Sequence, residues 1–440
     1  MARRFGTDGI RGIAGKELTM DLALRLGRAA GHVLGDGGGK VLIGRDTRAS
    51  GEALENALAA GFQSVGYDVE RLGVVPTPAV AYLTSRSDAV AGCVISASHN
   101  PYNYNGIKIF SSEGFKLPDE VEDAIEELLD AEVEEGPRFG TELPSHGVED
   151  YIAHLLSDCA DLSGLTVAID CANGALSGIA HRVLAEAGAE VIASHEDPDG
   201  ENINANCGST HPEVIRDLVL ATGADAGLSF DGDADRVIAV DEKGNLFDGD
   251  HILAALAQGM KRKGQLAGNA LVGTVMTNIG LDRYLEDLGV GLVKAKVGDR
   301  YVLEEMKKGG FVLGGEQSGH IIALEKNTTG DGLATGLMLL SLAGEEKRPL
   351  SELNELMVSY PQVLVNAKVK TENKHSYMEV ASIAEAIAEI EARFQGEGRV
   401  LIRPSGTEPL VRVMIEGKDQ EVLTREANAL AALIEEHLGG

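Results

Sequence analysis

The sequence contains no tryptophan, only four cysteines and few aromatic residues, and basic residues are outnumbered by acidic ones. The lack of tryptophan excludes stacking of a sugar on an indole ring. With 39 Lys and Arg against 69 Asp and Glu, the net charge is −30, and no basic cluster could follow a nucleic-acid backbone. No apolar run approaches the roughly 18–20 residues that cross a membrane. We therefore expect no nucleic acid and no membrane among its partners.

The cysteines predict free thiols rather than disulfides. They form no CxxC pair, and two of them lie in apolar, strand-like segments; the four are Cys93, Cys159, Cys171 and Cys207. A chain of 440 residues is long enough to be stable without disulfides. No apolar signal segment follows the charged first residues, so we expect a cytoplasmic protein.

A short apolar run, a turn and a helical stretch recur along the chain, at residues 41–60, 165–187 and 270–288. This rhythm predicts βαβ units with parallel or mixed sheets, and the residues after 361 read as a smaller α+β unit. Hydrophobic residues make up 44%, too many for a disordered chain. We predict four domains at residues 1–145, 146–240, 241–360 and 361–440.

Residues 119–135 hold ten acidic residues and no basic one. Apolar residues recur among them at helical spacing, so the pattern predicts an amphipathic helix with a solvated acidic face. We expect a third of the excess negative charge to lie on this one helix, away from any functional site.

The segment ISASHNP at residues 95–101 follows an apolar strand and contains Ser98 beside His99. A serine next to a histidine at a strand end is a candidate nucleophile. Serine, asparagine and proline also form turns, so the segment alone leaves a structural turn as an equal alternative. The G-x-S-x-G pattern of hydrolases is absent.

The segment DGDADR at residues 231–236 follows a second strand and brings together Asp231, Asp233 and Asp235. Three carboxylates at alternate positions would repel one another strongly without a cation. Arg236 stands where an EF-hand loop needs glycine, so calcium binding of that type is not favoured. The pattern predicts an Mg²⁺ site that handles a phosphate.

Two further segments carry polar groups in turns. RPSGTEP at residues 403–409, with an arginine on the next strand, combines guanidinium groups, hydroxyls and a flexible backbone, which together favour phosphate binding. GGEQSGH at residues 314–320 places three polar side chains at alternate positions, Glu316, Ser318 and His320. They could face one way and bind sugar hydroxyls, although a structural turn explains the glycines about as well.

These segments, in this order, resemble the α-D-phosphohexomutase family over nearly the whole chain. The shared motifs are FGTDGIRG (5–12), ISASHNP (95–101), NCGSTHPE (206–213), DGDADR (231–236), KVGDRYV (296–302), GEQSGH (315–320), NTTGDG (327–332) and RPSGTEPLVRVM (403–414). The resemblance implies four domains around a central cleft, three of them related α/β units with mixed sheets and the last a smaller α+β domain. Gln317 points to the glucosamine branch of the family, because relatives that act on mannose or glucose phosphates usually have Met there.

The resemblance also implies a mechanism. Ser98 matches the family's phosphoserine, one Mg²⁺ per active site would be held by that phosphate and the three aspartates, and Lys108 matches the proposed general base. A general base needs a lowered pKa, which neighbouring cations could supply. His99 and Arg236 are implied to steady the phosphoserine and the bisphosphate, and Arg11 is implied to be one of the cations near Lys108. The residues implied to bind substrate are Glu316, Ser318, His320, Lys296, Arg403, Ser405, Gly406, Thr407 and Arg412.

The implied reaction interconverts glucosamine 6-phosphate and glucosamine 1-phosphate through a 1,6-bisphosphate. The same chemistry on mannose or glucose phosphates is the alternative, because a few hydrogen bonds separate these sugars. A Mg²⁺ phosphatase that uses Ser98 and a sugar-phosphate sensor without activity are further alternatives. The partner is thus a small sugar phosphate, and the bacterial branch implies a homodimer. We expect the basic site residues to converge in a positive cleft.

Overall fold

The computed structural model describes residues 3–6, 8–35, 38–131, 133–136, 138–145, 147–394, 396–405 and 408–439. The chain forms two compact units. The first comprises the residues up to Thr277 together with Leu285–Leu356, and the second comprises Asn278–Tyr284 together with the chain from Met357 onward. No helix in the described ranges is long and apolar enough to cross a membrane.

The first sheet of the first unit has seven strands: β1 (Phe5–Gly6), β2 (Gly9–Ile13), β3 (Lys40–Arg45), β4 (Asp68–Val74), β5 (Ala89–Ile95), β6 (Tyr104–Ser111) and β7 (Glu142–Leu143). Their order is β1-β2-β6-β5-β3-β4-β7. The last four in this order run parallel and the others pair antiparallel, so the sheet is mixed. Strands β3 and β5 are buried along most of their length, as is typical of strands covered on both faces.

Four helices accompany this sheet: α1 (Met20–Leu34), α2 (Gly51–Ser64), α3 (Thr77–Ser85) and α4 (Asp119–Leu129). Helix α1 begins after Thr19, whose hydroxyl accepts a hydrogen bond from the Leu22 backbone N–H. Helices α1 and α2 pack so closely that a Cβ atom on Gly61 would lie 2.2 Å from the Leu24 carbonyl oxygen. Glycine is therefore required at that crossing.

The second sheet has five strands: β8 (Thr166–Asp170), β9 (Glu190–Ser194), β10 (Ala226–Phe230), β11 (Val237–Asp241) and β12 (Leu246–Phe247). Their order is β12-β11-β10-β8-β9, and β10, β8 and β9 run parallel. Its helices are α5 (Glu149–Ser157), α6 (Ile179–Glu186) and α7 (Pro212–Thr222). The carboxyl ends of the parallel strands therefore meet at one edge, where ligands commonly bind in such sheets.

The third sheet has four strands: β13 (Ala270–Thr274), β14 (Gly291–Ala295), β15 (Leu313–Gly315) and β16 (Ile321–Ala323). Their order is β14-β13-β15-β16, with β16 antiparallel to β15. The neighbouring helices are α8 (Gly249–Lys263), α9 (Ile279–Leu288), α10 (Asp299–Gly309), α11 (Gly332–Glu346) and α12 (Leu350–Asn354).

The second unit contains a three-stranded antiparallel sheet of β17 (Gln362–Lys368), β18 (Arg399–Pro404) and β19 (Leu410–Glu416). The order is β17-β19-β18, and helices α13 (Ala381–Phe394) and α14 (Gln420–Leu438) supply the rest of its apolar core. The predicted fold class, three α/β units with mixed sheets and a smaller C-terminal α+β unit, is confirmed. The central cleft and the four domain boundaries stay predictions, and the second sheet continues through Phe247, past the predicted boundary at residue 240.

The acidic helix is shorter than predicted, and its acidic face is not simply solvated. Helix α4 ends at Leu129, where Arg25 donates hydrogen bonds to the Leu129 carbonyl and the Asp130 carboxylate. Acidic side chains disfavour the negative end of a helix, which explains why the helix stops before the last acids of the run. Glu122 is buried, and Arg300 of α10 pairs with both Glu122 and Asp119.

Candidate active site

The turn after β5 carries Ser98, whose hydroxyl group faces the second sheet. Ser98 is 1% exposed, and its Oγ donates a hydrogen bond to Asp231 Oδ2 at 2.7 Å. The same Oγ lies 3.3 Å from His99 Nδ1. The backbone of Ser98 has a φ of 53°, a left-handed conformation that residues other than glycine seldom adopt. The surroundings therefore have to hold this turn in place.

Arg48, which the sequence did not reveal as a site residue, holds most of this turn. It is buried, and its guanidinium group donates to the carbonyl oxygens of Ser98 at 2.9 Å, Asn100 at 2.8 Å and Pro101 at 2.5 Å. Its Nε donates to Asp46 Oδ2 at 2.9 Å, which balances the buried charge. The planar fork of an arginine suits several fixed acceptors at once.

The second sheet contributes Asn204 to the same turn. Its amide Nδ2 donates to the Ser98 carbonyl at 2.9 Å and to the Asn100 carbonyl at 3.1 Å. The backbone of Asn204 is itself fixed, because its N–H donates to the Ala172 carbonyl at 2.9 Å. The turn that carries Ser98 is thus held from both sheets.

The loop after β10 brings Asp231, Asp233 and Asp235 together, as the sequence predicts. All three are buried, and one carboxylate oxygen from each lies within 4.8 Å of the others. Asp233 Oδ1 and Asp235 Oδ1 have no hydrogen-bond partner among the described residues. Buried carboxylate oxygens without donors are suitable ligands for a hard cation, so these residues fit Mg²⁺.

In this loop, the pKa values of Asp231 and Asp233 are shifted in opposite directions. Burial, and then the carboxylates of Asp235 and Asp233, raise the pKa of Asp231 well above its usual range. Burial acts the same way on Asp233, but the ammonium group of Lys108 outweighs it and lowers the pKa of that carboxyl. Thr77 adds a hydrogen bond from its Oγ1 to Asp233 Oδ2 at 2.7 Å. Added positive charge would relieve the repulsion around Asp231.

Lys108 on β6 lies beside the loop that carries Asp231, Asp233 and Asp235, but the direction of its pKa shift differs from our expectation. Its Nζ is 2.9 Å from Asp233 Oδ2, 3.4 Å from Asp235 Oδ2 and 3.3 Å from Asp8 Oδ2. Burial alone would lower the pKa of Lys108, yet these carboxylates outweigh it and raise the pKa above the usual lysine range. Arg11 acts to lower the pKa of Lys108, as expected, but it is outweighed by these carboxylates, two of which are proposed metal ligands.

A row of partly buried charges continues from Lys108 to Asp299 at the start of α10. Asp8 also pairs with Lys116 at 2.5 Å, and Lys116 pairs with Asp299 at the start of α10, again at 2.5 Å. Burial raises the pKa of Asp8, but the positive charges of Lys108, Lys116 and Arg11 outweigh burial. The pKa of Asp8 therefore lies well below its usual range. Asp8 and Asp299 lie in motifs of the family resemblance and Lys116 lies outside them, so only the structure shows that the three form one network.

The structure places His99 and Arg236 close to Ser98, and Arg11 beside Asp8. Arg11 pairs with Asp8, and Arg236 Nη1 is 3.5 Å from His99 Nδ1. The backbone N–H of Arg236 donates to Asp231 Oδ1 at 3.2 Å. Burial, followed by the charges of Arg236 and Arg11, lowers the pKa of His99. Arg236 therefore places a positive charge close to the serine, whereas the lowered pKa favours the neutral form of His99.

The residues proposed to bind the sugar differ in exposure, although their alternate spacing suggests that they face one way. Ser318 is exposed, and Glu316 is half-buried with Oε1 accepting from the Gly298 N–H at 3.0 Å. His320 is only 3% exposed and lies 3.7 Å from Asp299, so it does not share the exposure of Ser318. Lys296 is exposed and lies over the Tyr301 ring at 5.6 Å.

The predicted phosphate-binding residues belong to the second unit. Arg403 and Arg412 are directly opposite each other on β18 and β19. The Ser405 hydroxyl accepts from the Glu408 N–H at 3.2 Å, and Lys374, which sequence reasoning missed, donates to the Ser405 carbonyl at 2.7 Å. Gly406 and Thr407 lie outside the described residues.

Comparisons with known proteins agree with these motifs. The chain matches the phosphoglucomutase/phosphomannomutase alpha/beta/alpha domain I over residues 2–135, domain II over 149–244, domain III over 248–360 and the C-terminal domain over 364–433. Among curated relatives, it is 55% identical to a phosphoglucosamine mutase of Thermoanaerobacter sp. (strain X514), with 100% of both chains covered. It is 53% identical to one of Clostridioides difficile (strain 630), with the same coverage.

Solved structures share the fold. A phosphoglucomutase/phosphomannomutase family protein from Burkholderia thailandensis aligns with a TM-score of 0.82 at 27% identity, covering 99% of this chain and 98% of the other. An N-acetylphosphoglucosamine mutase of Aspergillus fumigatus, in complex with GlcNAc-6P and magnesium, aligns with a TM-score of 0.68 at 16% identity, covering 98% and 95%. The chain therefore belongs to the phosphoglucomutase/phosphomannomutase family, the same α-D-phosphohexomutase family that its motifs resemble.

Proposed function

We infer that the protein is a phosphoglucosamine mutase, which interconverts glucosamine 6-phosphate and glucosamine 1-phosphate. The geometric observation that carries this function is the hydrogen bond from Ser98 Oγ to Asp231, beside two further buried aspartates. This arrangement joins a phosphate-accepting hydroxyl to a cation site. Full-length relatives at 51–55% identity carry the same name, which favours glucosamine over mannose or glucose phosphates.

In the proposed reaction, phosphorylated Ser98 gives its phosphoryl group to the free hydroxyl of the sugar phosphate. The bond between Ser98 Oγ and phosphorus breaks, and a bond from the sugar oxygen to phosphorus forms. The resulting 1,6-bisphosphate reorients so that its other phosphoryl group faces Ser98, and it returns that phosphoryl group to Ser98. Asp231, Asp233, Asp235 and the phosphoserine would hold Mg²⁺, which would offset the charge of the phosphoryl oxygens.

Lys108 is the proposed general base that takes the proton of the attacking hydroxyl. Because three carboxylates raise its pKa, it has to lose the proton that it carries in the structure before it can act. His99 and Arg236 are proposed to hold the phosphoserine and the bisphosphate, since they lie close to the serine. Arg11 is proposed to be a cation that acts to lower the pKa of Lys108.

Substrate binding is proposed to use two groups of residues. Glu316, Ser318, His320 and Lys296 would contact the sugar. The phosphate that does not react would be held by the second unit, through Arg403, Ser405, Gly406, Thr407 and Arg412. The Aspergillus fumigatus structure contains GlcNAc-6P and magnesium, which supports a sugar phosphate and a divalent cation as ligands here.

Peptide mass spectrometry of the purified protein tests the serine assignment. We expect a phosphate on the peptide that contains Ser98, and loss of turnover in Ser98→Ala. Ser112→Ala changes an exposed serine and should keep full activity. Full activity in Ser98→Ala would refute the mechanism.

The substrate is tested by assaying the 6-phosphates of glucosamine, mannose and glucose side by side. We expect a clear preference for glucosamine 6-phosphate, and a preference for mannose 6-phosphate would overturn the assignment. Phosphate released at the rate of substrate loss would instead indicate a phosphatase.

We further propose a cytoplasmic homodimer with domains at residues 1–145, 146–240, 241–360 and 361–440. The four cysteines are unpaired and three are buried, which suits a reducing compartment. Light scattering of the purified protein measures the oligomeric state directly, and a monomer at all concentrations would contradict the dimer.

A further inference from the structure

A second group of metal-type side chains lies in the second sheet, apart from the three aspartates. Asp170 ends β8, His195 directly follows β9, and Cys207 lies in the loop before α7. Because β8, β9 and β10 run parallel, Asp170 and His195 lie at the same sheet edge as the Asp231 loop. This edge therefore holds one set of oxygen ligands and one set that combines oxygen, nitrogen and sulfur.

The distances within this group suit a metal ion. One ligand atom from each of Asp170, His195 and Cys207 lies within 4.8 Å of the others. Asp170 Oδ1 and His195 Nδ1 are 3.3 Å apart. Two ligands in a tetrahedral zinc site, each about 2.0–2.1 Å from the metal, are also separated by about 3.3 Å.

His195 Nδ1 forms no hydrogen bond with any described residue. The atom is buried and lacks a hydrogen-bond partner among the described residues, although it faces the Asp170 carboxylate. A buried ring nitrogen without a partner is costly unless something binds it. The His195 side chain as a whole is 34% exposed, so an ion could enter from solvent and keep a water ligand.

The other two ligands are fixed in place. Asp170 Oδ1 accepts from the Ala172 N–H at 2.9 Å, and Asp170 Oδ2 accepts from the Gly208 N–H at 2.8 Å. Cys207 is fully buried and directly precedes Gly208. Hydrogen bonds of this kind orient a carboxylate ligand while leaving it lone pairs for a metal.

We propose that Asp170, His195 and Cys207 bind one divalent ion of the borderline-soft class, with Zn²⁺ as the natural occupant. A thiolate and an imidazole favour zinc over Mg²⁺, which prefers oxygen ligands alone. When the sulfur–metal bond forms, the thiol proton passes to solvent. The ion would brace the segment between His195 and Cys207, which contains Asn204 and thereby supports the turn at Ser98.

Cobalt titration of the full-length protein in excess Mg²⁺ tests the site, because Mg²⁺ occupies the oxygen ligands and Co²⁺ reports sulfur through thiolate charge-transfer absorption in the near ultraviolet. We expect the band to saturate at one Co²⁺ per chain. It should be lost in Cys207→Ser and kept in Cys159→Ser, which removes a half-buried thiol outside the group. No band in the wild-type protein, or an undiminished band in Cys207→Ser, would overturn the proposal.

A thermal-unfolding series with added Zn²⁺ gives a second readout in case Cys207→Ser does not fold. The melting temperature of the wild-type protein should rise with zinc concentration, since a ligand that binds only the folded state stabilises it. His195→Gln should still fold, as judged by circular dichroism, but should lose this rise. A rise of equal size in His195→Gln would show that zinc binds elsewhere and would refute the assignment.

Discussion

The turn that carries Ser98 and the loop that carries Ser318 lie in the same unit but are built differently. Arg48 and Asn204 hold three carbonyl oxygens of the first turn, and the Ser98 side chain is buried. The loop at residues 315–320 also has a fixed backbone, because the Gly319 carbonyl accepts from the Val237 N–H at 3.1 Å. Its Ser318 side chain, however, is exposed.

This difference suits the roles proposed for the two serines, a reacting group at Ser98 and a recognising group at Ser318. A nucleophile gains from being aligned before the substrate arrives, because alignment lowers the entropic part of the barrier. A group that recognises a ligand has to remain accessible and leave its hydrogen-bonding capacity to the ligand. Four variants break or sharpen this comparison, and they follow from the largest expected effect to the smallest.

Arg48→Ala should have the largest effect. It removes the arginine partner of the buried Asp46 carboxylate and one donor from each of three carbonyls, so we expect a loss of about 3–5 kcal/mol in the free energy of unfolding. Misplacement of Ser98 should lower kcat by about 10²-fold. Arg48→Lys keeps the charge but not the fork and should still lose kcat while remaining folded. Urea unfolding and steady-state kinetics measure both quantities.

Arg86→Ala is a suitable control, because Arg86 is exposed and lies only over the Tyr82 ring. If Arg48→Lys retained the wild-type kcat, the turn at Ser98 would not depend on the guanidinium group as argued.

Asp233→Asn should weaken the response to Mg²⁺. It removes one of the three carboxylates and the strongest partner of Lys108, so more Mg²⁺ should be needed for half-maximal activity. Activity measured against Mg²⁺ concentration gives this value, with circular dichroism to verify folding. Asp217→Asn, on the exposed side of α7, is the matched control. Unchanged Mg²⁺ dependence in Asp233→Asn would contradict the proposal that the loop with Asp231, Asp233 and Asp235 binds the metal.

Ser318→Ala should change recognition and leave the fold alone. Loss of one hydrogen bond to the sugar is worth about 1 kcal/mol, which corresponds to a rise in KM of about fivefold. Because the side chain is exposed, the free energy of unfolding should stay within about 0.5 kcal/mol. A large loss of stability with an unchanged KM would contradict the recognition role proposed for Ser318.

Asp68 should show the smallest effect, since this carboxylate belongs to neither loop. Hydrogen bonds from Arg138 and then from the Thr141 N–H lower the pKa of Asp68 to about 2, against about 3.9 in an unfolded chain. Its contribution is therefore fully present above about pH 4 and is lost as the pH falls towards 2.

Asp68→Asn should destabilise the protein by less than about 1 kcal/mol at pH 7, as is usual for surface ion pairs. Thermal unfolding of both proteins across this pH range checks the prediction. The difference between them should shrink as the pH falls, and a constant difference would show that charge is not the cause.

Much of the site could be predicted because its residues lie in short motifs. Ser98 and the three aspartates follow strands directly, and each motif indicates its chemistry by residue type. Arg48 and Lys116 could not be found in this way, since their partners are 50 or more residues away in the chain or on other sheets. The segment around Arg48 also resembles an ordinary turn before a helix.

Two expectations from the sequence were changed by long-range contacts. The acids of residues 119–135 favour a solvated helix when considered locally, yet Arg25 ends the helix at Leu129, and Arg300 pairs with Glu122 and Asp119. The pKa of Lys108 was expected to be low because of nearby cations. Three carboxylates from two segments surround it instead and outweigh those cations.

The sequence by itself determined the order of the motifs, the fold class and the family, because these depend on local patterns and on residues adjacent in the chain. Only the tertiary structure decided how Ser98 is held, which charges surround Lys108, and that Cys207, predicted from the sequence only to be a free thiol, lies beside Asp170 and His195. These features depend on distances between residues far apart in sequence, and burial then determines how strongly their charges interact.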